Sequence, residues 1–220
     1  MRDLVSEMRD LALLRAQEEW DRGVRDPISS VMIDRDGKIF EAQKVDGEWA
    51  RGAFIEQEKE PGLYSRVLDY IHEGLSWDWI KLYRNHSFQW CGAFASFVYR
   101  EVKEELRKRN MSSTYRLRRW AKEDNSIFVP LDEILPGDIV VVGKGLRFGG
   151  KSYGDHITIC ESVSEDGIYT IEGNAFGDHQ SGKRREGVIR NFRPFKGPSD
   201  KYTVRFAYRM QEQHFDEELL

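Results

Sequence analysis

Hydrophobic periodicity shifts from helical to strand-like near residue 127, and that change limits the folds open to the chain. Upstream, apolar residues recur at three- and four-residue intervals: Leu4, Met8, Leu11, Leu14 and Trp20; then Leu63, Val67, Leu68 and Ile71; then Phe94, Val98, Val102 and Leu106. Such spacing lines one stripe of a helix. Downstream the apolar residues come in short runs, Ile139–Val142, Ile157–Cys160, Ile168–Ile171, Val188–Phe192 and Tyr202–Tyr208. Turn signals at Pro136-Gly137-Asp138 and Glu165-Asp166-Gly167 punctuate them, as expected of strands. Helices first and an antiparallel run of strands second predict an α+β fold, with helices packed on a C-terminal sheet.

The boundaries follow from breakers. A helix over 3–24 ends at Gly23, before Asp26-Pro27. The segment 28–60 alternates short apolar groups with Asp36-Gly37 and Asp46-Gly47, which predicts a β-hairpin insertion closed by Pro61-Gly62. A short helix over 63–74 stops at Gly74, and the aromatic stretch Trp77–Tyr83 suits packing or the wall of a pocket. The next helix is expected over 90–109, and a basic segment over 112–125 offers Trp120 as its one large anchor. A glycine-rich loop spans Gly143–Gly154, and the acidic residues from Gln211 to Leu220 read as loose. The whole chain, 1–220, reads as a single domain.

Charge narrows the function. A net charge of −4 over 220 residues argues against a nucleic-acid binder. The basic runs Arg107–Arg109, Arg116–Arg119 and Lys183–Arg185 read as solvated surface, the other reading being a face that attracts an anionic polymer. The N-terminus has no apolar signal-peptide core, and no stretch approaches the roughly 20 apolar residues of a membrane span. The expectation is therefore a protein made in the cytoplasm. Two cysteines, Cys91 and Cys160, are too few for a disulfide scaffold and lack the spacing of a zinc site.

Cys91 falls in the first turn of the 90–109 helix, whose start Asn85 or Ser87 can cap. Free N–H groups and the positive end of the helix dipole favour a thiolate there. A nucleophilic thiolate needs a base, and the base needs an orienting group. Of five histidines, His72 and His214 read as surface residues, and His86 and His179 as reserve bases. His156 opens a strand directly after the glycine-rich loop, and Glu172 and Asn174 lie at the end of the next strand. Antiparallel pairing sets the start of one strand beside the end of the other, which makes His156 and Glu172 neighbours. Cys160, in mid-strand, reads as packing.

Four segments then carry a resemblance: Trp90-Cys91-Gly92-Ala93-Phe94, Leu135-Pro136-Gly137-Asp138-Ile139-Val140, Gly154-Asp155-His156-Ile157-Thr158-Ile159 and Ile171-Glu172-Gly173-Asn174. In this order the chain resembles the CHAP amidase/peptidase family of papain-like and NlpC-type cysteine hydrolases, over about residues 63–210. The resemblance implies a papain-like fold and cleavage of peptidoglycan, at the sugar–peptide amide or within the peptide. It implies Cys91 as nucleophile, His156 as general base, and Glu172 and Asn174 as residues that orient the histidine. The oxyanion would be held by the Cys91 N–H and a side chain, Gln89 or Tyr83; the family often has glutamine immediately before the cysteine, whereas Gln89 lies two residues before it. No metal or other cofactor is called for.

The 28–60 segment and the lack of a wall-binding module depart from the family pattern. They suit a phage lysin, an injected effector or a housekeeping hydrolase, acting at the wall once a lysis or secretion system delivers it, with a delivery or immunity partner. Two other readings stay open: the same chemistry on a protein or small-molecule conjugate, and a catalytically silent binding module.

Overall fold

The computed structural model describes residues 3–24, 31–33, 39–45, 48–54, 64–76, 89–143, 155–178, 182, 184–197 and 202–216. Helix α1 (Leu4–Asp21) is capped by Asp3, whose carboxylate accepts the Ser6 N–H at 2.7 Å. Strands β1 (Val31–Ile33), β2 (Ile39–Val45) and β3 (Glu48–Phe54) form an antiparallel sheet in the order β1-β2-β3. Helix α2 (Tyr64–Asp69) widens into a π-helical turn over Tyr70–Gly74. Helix α3 (Cys91–Val98) carries the cysteine, and α4 (Thr114–Glu123) is capped by Ser113. Six strands follow: β4 (Phe128–Val129), β5 (Ile139–Gly143), β6 (His156–Val163), β7 (Gly167–Asp178), β8 (Arg184–Pro194) and β9 (Thr203–Tyr208). They form one antiparallel sheet in the order β4-β9-β5-β6-β7-β8. The architecture is α+β, as the change of periodicity predicts.

Apolar side chains cover both faces of this sheet. Ile139, Val141, Ile157, Ile159, Ile171 and Val188 join the helices in the larger core, around Phe94, Phe97 and Tyr70. Val140, Val142, Cys160, Ile168, Val204 and Ala207 form a smaller core on the other face. Strands buried on both sides read as continuous apolar runs, and Ile139–Val142 is one. Cys160 packs there, as expected.

Three expectations need correction. The cysteine helix ends at Tyr99, not near Arg109. Val102 leaves the helix and bridges to Phe215, after which the chain restarts in a short turn at Glu104–Leu106. Val98, Val102 and Leu106 keep a helical spacing, but an isolated bridge to the distant Phe215 overrides it. Second, the segment expected to be loose is anchored as far as its description runs, to residue 216. Phe215 is buried in the larger core, and His214 is buried too, not a surface residue. His214 accepts the Gln211 N–H at Nδ1, and its Nε2 lies 2.8 Å from Asp124. Third, the fully buried stripe of α1 is Ala12, Ala16 and Glu19, while Leu14 is exposed. Glu19 can be buried because Arg66 grips its carboxylate and the Tyr70 hydroxyl donates to it at 2.7 Å.

Candidate active site

Cys91 is the first residue of α3, as the sequence predicts, although the residue before the helix is Trp90, with no side-chain cap. Neither Asn85 nor Ser87 can be placed in that role, since both lie outside the described residues. A helix of small and aromatic residues forms here because it is buried on all sides, every residue from Cys91 to Val98 included. The close fit has visible causes. A Cβ on Gly92 would meet the Met111 and Ser112 carbonyl oxygens at 2.6 and 2.7 Å. A Cβ on Gly173 of β7 would meet Phe94 Cβ at 2.6 Å and the Trp90 ring at 2.7 Å. Glycine at 173 is what lets the sheet approach the cysteine helix.

His156 opens β6, and its Nε2 lies 3.3 Å from Glu172 Oε2 on β7. The contact is that of an ion pair and not of an aligned hydrogen bond, since Nε2 has no well-directed acceptor among the described residues. The other ring nitrogen is left for the cysteine, and Cys91 and His156 lie close enough for each to shift the ionisation of the other. The backbone N–H groups of Gly92 and Ile157 also help to lower the Cys91 pKa. The two residues that antiparallel register brings together thus meet the one that the helix start singles out.

Electrostatics bias this pair towards its charged form. Burial opposes ionisation of the Cys91 thiol, but the neighbouring His156 and the two backbone N–H groups outweigh it and hold the pKa below the ordinary thiol value. Burial likewise opposes charge on His156, and the Cys91 sulfur and Glu172 carboxylate overcome it, raising the pKa to about 10. Each member of the pair therefore favours the charged form of the other. Cys160, with no such partner, is pushed up to about 12 by burial.

Glu172 has no exposed surface, yet it stays ionised. Arg193 on β8 reaches it with both arms of its guanidinium, Nε to Oε1 at 2.6 Å and Nη2 to Oε2 at 2.5 Å. The Thr170 hydroxyl donates at 2.6 Å and Asn191 Nδ2 at 3.2 Å. Burial would raise the carboxyl pKa, but the ion-paired His156 and the hydrogen-bonded Arg193 hold it well below the usual carboxylate range. Arg193, Thr170 and Asn191 escape a reading of the sequence alone. The usable signal is alternation: Asn191 and Arg193 share one side of β8, and β7–β8 register sets them opposite Thr170 and Ile168. An arginine pointing into a sheet that is apolar on both faces needs an acid.

Asn174 does not bind the histidine. It sits at φ +60°, in the left-handed region that asparagine tolerates, where the β7–β8 register shifts between Glu172 and Ala175. Its Nδ2 donates to Gln89 Oε1 at 2.7 Å, so it ties the sheet to the residue that leads into the cysteine helix. Tyr83, His86 and His179 lie outside the described residues, and His72 is exposed on the π-helical turn. Among the described residues, no group of three or more His, Cys, Asp or Glu side chains is placed to hold a metal ion. No described helix is long and apolar enough to cross a membrane. No family model, curated protein or solved structure matches the chain.

Proposed function

We propose that this protein is a CHAP-type cysteine amidohydrolase with a papain-like arrangement, and that it cleaves amide bonds of peptidoglycan. One observation carries the chemistry: a cysteine at the first residue of a buried helix is electrostatically paired with a histidine that a buried, arginine-clamped glutamate contacts from behind. In this reading the Cys91 thiolate attacks the amide carbonyl carbon. His156 passes its proton to the leaving amine, and water then releases the acyl group from sulfur with the histidine as base. Glu172 fixes the ring and offsets its charge.

Gln89 fits the role of oxyanion donor better than its displaced position in the sequence suggests. Its amide oxygen is occupied by Asn174, which leaves only the two N–H donors free. Those donors, with the Cys91 backbone N–H, are the groups that would stabilise the developing oxyanion. Asn174 then positions Gln89, whereas Glu172 positions His156. The choice of peptidoglycan rests on the four ordered sequence segments.

The test is to incubate purified peptidoglycan with the protein and with Cys91→Ala and His156→Ala, measuring newly released amines and identifying the products by mass spectrometry. Release by the wild type alone is expected. Equal release by all three, or by none, overturns the reading.

A further inference from the structure

A basic run free of acids packs beside the candidate site. Residues 106–122 contain seven Lys and Arg and no acid, although the whole chain carries −4, so the remaining residues carry −11. Four of the seven have defined structural partners, Arg119 being held by Glu123. Arg107 is buried and donates to the carbonyls of Val102, Glu73 and Gly74. Arg118 stacks on Phe206 and faces Asp155 at 3.6 Å. Lys108 reaches Glu104 at 4.0 Å.

Arg109 and Arg116 have no acidic partner among the described residues, and both are exposed. They line a depression of about 360 Å³ together with Asn110, Tyr115, Arg119 and Glu123. The depression is built in part: Arg116 Nη1 donates to the Arg109 carbonyl at 3.3 Å, and Glu123 holds Arg119 at 2.9 Å. Tyr115 is 73% exposed, so its ring and hydroxyl are presented to solvent and not to the core. Guanidinium groups, a phenol and an amide make a donor-rich surface that suits carboxylates.

Its position ties it to the chemistry. Met111 and Ser112, between Arg109 and Arg116 in sequence, lie so close to Gly92 that a Cβ there would clash with both carbonyls. Gly92 follows Cys91 directly. On the other flank, Arg118 faces Asp155, the residue before His156. The segment that carries the depression is therefore in contact with the neighbours of both reacting residues. By chain reach, Asn110 lies at most about 7 Å from Ser112.

We propose that this depression is a substrate subsite that binds the carboxylate groups of an acidic peptide while Cys91 addresses an amide of the same molecule. The proposal rests on the amide-hydrolase reading above and adds to it the charge of the substrate. A local site and not a track for a long polyanion is indicated, because the net −11 on the other residues repels an extended anionic chain.

The experiment measures fluorescence anisotropy of a labelled hexaglutamate peptide with the full chain in its Cys91→Ala form, which needs no turnover. Hexaglutamine and polyphosphate serve as the uncharged and phosphate arms. Hexaglutamate is expected to bind, hexaglutamine not to bind, and Arg109→Glu/Arg116→Glu to weaken hexaglutamate at least tenfold. Arg109→Lys/Arg116→Lys should retain binding within about threefold. Melting curves confirm that the variants, altered only at exposed positions, remain folded. Failure of hexaglutamate to bind, equal binding by the charge-reversed variant, or tighter binding of polyphosphate overturns the subsite. Because Cys91→Ala reports binding alone, loss of the subsite with hydrolysis intact is distinct from loss of hydrolysis with the subsite intact.

Discussion

Replacing Arg193 by methionine removes the guanidinium that grips Glu172 while keeping a long apolar stem in its place. Glu172 has no exposed side-chain surface, and the Arg193 side chain is 15% exposed. The substitution deletes both guanidinium bonds and leaves the carboxylate with Thr170 at 2.6 Å and Asn191 at 3.2 Å. Stripping one partner from a buried ion pair costs about 3–5 kcal/mol. Two surviving donors and slight access to water place this case at the low end, about 3 kcal/mol. For a chain of this length each kcal/mol lowers the melting temperature by about 2–4 °C, which gives a fall of roughly 6–12 °C. The Glu172→Gln/Arg193→Met double variant removes both members of this buried ion pair and is expected to melt above Arg193→Met alone. Scanning calorimetry at pH 7 on the four corners of this cycle reads both effects. A melting point for Arg193→Met within about 2 °C of wild type, or a double variant that melts no higher than it, refutes the reasoning.

Iodoacetamide at pH 7 should label Cys91 at least about tenfold faster than Cys160, as counted by peptide mass spectrometry, and His156→Ala should slow Cys91 labelling. The pH dependence of stability has two limbs. Glu172 is ionised more easily folded than unfolded, so its contribution is present above about pH 4.3 and lost as the pH falls further. His156, raised to about 10, contributes fully below about pH 6.5 and loses that contribution as the pH climbs towards 10. Urea unfolding should therefore show a shallower acid limb for Glu172→Gln and a shallower alkaline limb for His156→Gln; slopes identical to wild type would contradict both assignments. Gly173→Ala should cost about 1–3 kcal/mol by pressing its methyl on Phe94 and Trp90, read as a lower denaturation midpoint. Asn174→Asp should lower kcat on peptidoglycan with KM little changed, because a carboxylate would claim a Gln89 N–H donor; unchanged kcat would remove Asn174 from the positioning role.

What could be read from the sequence was whatever depends on neighbours along the chain or on one strand register. Cys91 at a helix start and His156 beside Glu172 both belong to that kind: the first needs only a local pattern, the second only one hairpin. The helix beyond Tyr99 fails the same test, because a partner more than a hundred residues away decides the fate of Val102. His214 looked like surface for the same reason: its acidic surroundings in sequence say nothing of Trp120, against whose ring it packs at 5.1 Å. Arg193 required two successive registers, β6 to β7 and β7 to β8, and one unnoticed bulge would have misplaced it. Asn174 was legible as a turn residue, but the direction in which a left-handed turn sends its side chain is a matter of three dimensions.

The strand order has a consequence for biosynthesis. β9 lies between β4 and β5, so a chain emerging from the ribosome can complete the β5-β6-β7-β8 meander well before the sheet is whole. Until residues 203–208 are made, the outer edge of β5 has no partner, and Phe215 is not yet there to hold Val102. Cys91 and His156 are both synthesised before that point, yet the scaffold that holds them together is closed by the last strand. The candidate site is therefore assembled only once residues 203–208 have been made, and nascent chains pass through a stage in which an unpaired apolar edge is open to other chains.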